Sequence, residues 1–130
     1  MGSIEEFLKS AEEFINLAFK EFEEASKEKN NYRLRDAAEK AWNAVIQATN
    51  ALAVKRVGQL PKTHYERRII LKNLEKEDLK LKEIGIYDRY AARSRLLHGE
   101  IFYEGLLDLE LLKLEIEKAK EYVELIKKVL

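Results

Sequence analysis

Apolar residues recur at three- and four-residue intervals through most of the chain, the spacing that lines one face of an α-helix. The first run is Ile4, Phe7, Leu8, Ala11, Phe14, Ile15, Ala18, Phe19, Phe22 and Ala25. Ser3, just before it, and Glu6, in its first turn, have the spacing of a capping box, so a helix is expected to begin there. Asn30-Asn31 is the expected stop, because asparagine tolerates the left-handed conformation that ends helices. A second run, Leu34, Ala37, Ala38, Ala41, Ala44, Val45, Ala48, Ala51 and Leu52, ends before Gly58 and Pro61. Its small side chains let a neighbouring helix approach closely, with Trp42 filling much of one layer.

Thr63 and Glu66 form a second capping box, ahead of Ile69, Ile70, Leu71 and Leu74. From Lys76 to Glu83 charges and leucines alternate without a settled period, which predicts a frayed helix or loop ending at Gly85. Tyr87, Tyr90, Ala91, Ser94, Leu97, His98, Ile101 and Phe102 share one arc of a fourth helix, where Gly99 offers a bend. A last helix runs from near Asp108 through Leu109, Leu112, Ile116, Ala119, Val123, Ile126 and Leu130. Short connections between long helices favour antiparallel packing. The expected fold is therefore all-α, an antiparallel up-and-down bundle of about five helices, in one domain over residues 1–130. A long helical pair or coiled-coil dimer is the architectural alternative.

A chain of 130 residues buries roughly two-thirds of its unfolded surface, enough for one core. Charged residues make up 37%, so that core lies under a dense ionic surface. The absence of cysteine excludes disulfides, thiolate zinc sites and cysteine nucleophiles, and fits a reducing, cytoplasmic setting. No apolar run approaches the roughly 20 residues of a membrane helix, and the acidic start does not resemble an export signal. Glu6 also stands where myristoylation at Gly2 would want a small hydroxyl residue. Abundant Lys and Glu, scarce Gln and a lone initiator Met resemble hyperthermophile usage. The formal charge is zero overall, yet residues 32–99 hold 15 basic against 8 acidic groups, an electropositive middle suited to an anionic ligand.

Arg93 and His98 are separated by Ser94-Arg95-Leu96-Leu97. That spacing resembles the Arg-x-x-x-x-His signature of the HEPN superfamily (higher eukaryotes and prokaryotes nucleotide-binding), which lies on a late helix of a small helical bundle. Asp36 to Ala44 resembles that superfamily's alanine-rich helix. Ala38 to Trp42, the turn Gly58 to Pro61 and the helix start at His64 are most similar to the archaeal PaREP-type branch. For catalytic members the resemblance implies a metal-independent endoribonuclease acting in a homodimer cleft, on RNA or nucleotide, with no cofactor. His98 would move a proton at the ribose 2′-hydroxyl or the leaving oxygen, and Arg93 would stabilise charge on phosphorus. The resemblance also implies a separate nucleotidyltransferase as a partner. One departure is Glu100, which stands where toxin-like relatives carry a tyrosine, so that modification site is not expected here.

Positions five apart on a straight α-helix point about 140° apart, so Arg93 and His98 share a ligand only across a bend or around the helix rim. Ser94 and Arg95 lie four and three residues before His98 and are secondary, substrate-binding candidates, as is His64. Set against this is a packed histidine on an apolar stripe, in a non-catalytic helical interaction module. No metal site is expected: neither histidine has a Glu three residues before it, as a di-iron bundle would need, and no His-Glu-x-x-His or phosphate-loop motif occurs.

Overall fold

The computed structural model describes residues 3–130, so the myristoylation reading at Gly2 lies outside the described residues. Ser3 caps the first helix, α1 (Ile4–Glu28), with its hydroxyl accepting the Glu6 amide at 3.0 Å. The stop differs from expectation by one residue and by mechanism. Lys29 takes the left-handed conformation, φ 55°. Asn30 instead opens α2 (Asn31–Val57), its Oδ1 accepting the Arg33 amide. A connection this short forces α2 back along α1, and the alanine stripe lets the two helices close on each other. Ala37, Ala38, Ala41, Ala44 and Ala48 are completely buried.

Gly58, at φ 74°, ends α2 in the left-handed region where a Cβ is costly. Thr63 caps α3 (His64–Glu77) through the Glu66 amide, as its spacing predicts. The charged stretch that follows is neither frayed nor a loop. Asp78 ends α3 and caps α4 (Leu79–Ile84), its Oδ1 accepting amides from Lys80 and Leu81. Leu81 supplies the buried anchor of that short helix. The stretch expected as a frayed helix or loop is therefore the last turn of α3 and a short helix of its own, divided by a cap that periodicity does not register.

After Gly85 comes α5 (Ile86–Arg93), which continues without a break into a π-helix over Ser94–Tyr103. Where a bend is expected at Gly99 the chain instead runs on as this wider helix, whose amides reach back five residues, as Glu104 does to the Gly99 carbonyl at 3.1 Å. Most π-helices are single turns, and ten residues of one is an unusual length. Asp108 then caps α6 (Leu109–Val129), its Oδ1 accepting the Leu111 amide.

Among the described residues there are helices and no strands, an all-α bundle. The chain is organised around α2, which packs against α1 and α6 and also against α3, α5 and the π-helix. Buried side chains from every helix form one continuous cluster centred on Trp42, Tyr90, Tyr122 and Leu52. Among the described residues no helix is long and apolar enough to cross a membrane.

Candidate functional site

Glu39 lies on α2 and His98 on the π-helix, and the packing of the two helices brings their side chains together. His98 Nδ1 is 2.8 Å from Glu39 Oε1. A carboxylate only accepts, so Nδ1 carries the proton and donates, which leaves Nε2 for chemistry. The imidazole is 22% exposed, neither sealed in the core nor free on the surface. Around it stand Trp42, with ring centroids 5.9 Å apart, Phe102 at 6.1 Å in a near-parallel stack, and Tyr103 edge-on at 4.8 Å. These aromatic walls restrict the ring's orientation while one side remains open to solvent.

His64, at the start of α3, meets the same group, its ring centroid 5.4 Å from that of His98 and 5.3 Å from that of Trp42. Its Nδ1 lies 3.2 Å from Arg67 Nη1. Because a guanidinium only donates, that nitrogen accepts and the proton sits on Nε2. Burial lowers the pKa of His64, and the charges of Arg67, His98 and Arg68 lower it further. His64 is therefore a neutral imidazole at pH 7 that presents an N–H.

Arg93 is placed differently. Its side chain is 7% exposed, and Nη2 lies 2.9 Å from Glu115 Oε1 of α6, itself 9% exposed. The Nε of Arg93 has no hydrogen-bond partner. Arg93 is thus engaged by α6 while His98 is engaged by α2, although a π-helix reduces the angular gap between positions five apart. Ser94 is half-buried at the junction of α5 and the π-helix. Arg95 is exposed and pairs with Glu100 at 3.0 Å, so the acidic residue that departs from the toxin-like pattern is already met by a cation.

Two further features frame the site. Arg35 of α2 donates to the Phe102 carbonyl at 2.7 Å and the Tyr103 carbonyl at 2.8 Å, bracing the C-terminal end of the π-helix. On the other side of that helix, Leu96, Ile101, Leu106, Leu107, Leu111 and Glu115 line an apolar groove of about 390 Å³. Among the described residues no three His, Asp or Glu side chains gather as a metal site would require.

A family model described as the Archaeal PaREP1/PaREP8 family matches residues 13–123. The chain belongs to that family. PaREP1/PaREP8 proteins are HEPN-like and archaeal, which is the branch that Arg93-x-x-x-x-His98 and Ala38 to Trp42 resemble. No curated protein and no solved structure matches this PaREP1/PaREP8 chain. Glu39 is the site residue that motif spacing passes over. It lies inside the alanine-rich segment, yet on α2 its charge has the look of an ordinary solvated position. The available signal was its place one residue after the buried Ala38, on the face that Trp42 also approaches from the next turn.

Proposed function

We propose that this PaREP1/PaREP8 protein binds RNA or a nucleotide and acts as a metal-independent endoribonuclease, with His98 as the proton-transfer group. The observation that carries the reading is the 2.8 Å contact between Glu39 and His98, which fixes the imidazole with Nε2 uncommitted at the edge of solvent. In the reaction His98 Nε2 takes the proton of a ribose 2′-hydroxyl. The 2′-oxygen attacks phosphorus, the bond to the 5′-oxygen breaks, and that oxygen takes up a proton that the imidazolium gives back directly or through solvent, which returns His98 to its neutral form. The products are a 2′,3′-cyclic phosphate and a free 5′-hydroxyl. An imidazole can both take up and release a proton in neutral solution, which suits both halves of this proton transfer.

Arg93 enters this reading as the cation that stabilises charge on the phosphoryl group. In the isolated chain its guanidinium is held by Glu115, so it must exchange that carboxylate for phosphate when substrate or a second chain binds. The apolar groove beside Glu115 and the exposed Leu106, Leu109, Leu111 and Leu114 support a homodimer as the acting form. Ser94, Arg95 and His64 fill the role of substrate contacts around the two principal residues. A separate nucleotidyltransferase is the partner the family resemblance implies, and co-purification from the native host tests it: a stable complex supports that pairing and its absence counts against it.

The buried Arg93–Glu115 pair favours a second reading, a non-catalytic helical interaction module in which Arg93 only ties the π-helix to α6. Labelled single-stranded RNA incubated with the protein in EDTA separates the two, beside Arg93→Ala and His98→Ala. Cleavage that is lost on His98→Ala supports the nuclease. Intact RNA with the wild-type chain supports the module, and cleavage that survives both substitutions refutes the assigned site.

A further inference from the structure

Arg67 projects from the first turn of α3 into the interior, and its residue is 7% exposed. Among the described residues three charged ones are this deeply buried: Arg67, Arg93 and Glu115. The last two neutralise each other. Among the described residues Arg67 has no carboxylate within ion-pair distance; its Nε donates to Asn50 Oδ1 at 3.0 Å and its Nη1 to His64 Nδ1 at 3.2 Å. Both partners are neutral, as is the Tyr90 hydroxyl that the guanidinium also faces, so they orient it without balancing its charge.

Burying an uncompensated cation is costly, and its position adds to that cost. The N-terminal end of a helix carries partial positive charge, which repels a cation in the first turn and attracts an anion. Arg68 follows directly, stacked over the Tyr65 ring. Glu66 is the nearest acid in sequence, but its Oε2 is occupied by the Lys62 amide. Glu39 is occupied by His98. One more donor in the cluster lacks a partner: the Trp42 Nε1 is buried and unpaired, its ring 5.1 Å from that of Tyr90, whose hydroxyl faces the Arg67 guanidinium.

We propose that Arg67, with His64 and His98, forms a binding site for a phosphate group, distinct from the Arg93–Glu115 pair. The missing counter-charge is then the ligand itself, a phosphodiester oxygen or the phosphate of a nucleotide. A guanidinium suits such oxygens because its planar fork can donate two parallel hydrogen bonds. His64, neutral and protonated on Nε2, contributes a donor without adding charge. In the nuclease reading, on which only the substrate's identity rests, this site holds a phosphate of the RNA against the His98 imidazole.

The chain has just two histidines, so their Cε1–H resonances report on the site directly. Titration with inorganic phosphate in a phosphate-free buffer of constant ionic strength, with chloride as control, is expected to shift both resonances saturably. Arg67→Met is expected to abolish that response and Arg67→Lys to weaken it several-fold. Thermal denaturation gives an independent readout: phosphate raises Tm of the wild-type chain and leaves that of Arg67→Met unchanged. Should Arg67→Met not fold, the wild-type titration still decides, since resonances that do not move with phosphate overturn the site. An unaltered response in Arg67→Met, or one abolished by Arg93→Ala instead, overturns it equally. Phosphate binding with no cleavage of RNA would sink the nuclease and leave this site standing. RNA cleavage with no phosphate response would do the reverse.

Discussion

His64 is kept neutral at pH 7 because burial and the adjacent Arg67 guanidinium both oppose its protonation. Its folded pKa lies below the unfolded value of about 6.5, so between the two the unfolded chain binds more protons. The stability contributed by neutral His64 is fully present above about pH 6.5 and is lost as pH falls through the lower folded value. Tm in a phosphate-free buffer should therefore drop on acidification below about pH 6.5, and the drop should be smaller in His64→Gln. Equal slopes for the two proteins would contradict the assignment. Tyr122 offers a simpler test. The Thr49 hydroxyl donates to the Val45 carbonyl at 2.7 Å, so Tyr122 must donate to Thr49 Oγ1, also at 2.7 Å. Tyr122→Phe removes that buried bond and is expected to cost about 1 kcal/mol in urea denaturation. The polar residues legible from sequence were those acting locally, such as Ser3, Thr63 and Asp108, whose caps span three residues. Glu39 and His98 are 59 residues apart, so their hydrogen bond depends on how α2 meets the π-helix, which no local pattern encodes.

The stripe of alanines sets how α1 and α2 approach. Ala44 has no exposed surface, and Ala44→Leu must push the neighbouring helices apart, at a cost of about 1–3 kcal/mol measured by denaturant midpoint. A neutral outcome would mean that α2 is less tightly surrounded than its burial shows. The π-helix makes a second prediction. Gly105 follows it at φ 70°, where an added Cβ would lie 3.4 Å from the Arg35 guanidinium. Gly105→Ala should cost about 1–2 kcal/mol from the left-handed backbone alone and should disturb the brace that Arg35 gives to the Phe102 and Tyr103 carbonyls. Periodicity located the long helices because burial of one face dominates their pattern. It missed α4 because six residues hold too few turns to show a period, and it missed the π-helix because widening by one residue leaves the sequence pattern almost unchanged.

At the scale of the molecule, two surfaces with different chemistry flank the π-helix: an aromatic and imidazole crevice toward α2 and α3, and an apolar groove toward α6. Exposed Leu106, Leu109, Leu111 and Leu114 around the second are the apolar side chains a dimer would cover. Sedimentation at micromolar concentration is expected to give a dimer, with Leu111→Lys shifting it toward monomer; a wild-type monomer would contradict a shared cleft. The excess of basic groups over residues 32–99 predicts RNA affinity that weakens steeply with salt. The most direct measurement is the rate of RNA cleavage in EDTA by Glu39→Gln beside His98→Ala and the wild-type chain. His98→Ala is expected to lose about 100-fold or more, and Glu39→Gln to show a smaller but definite loss, because the imidazole then lacks the carboxylate that orients it. Full activity in either variant would contradict the proton-transfer role of His98.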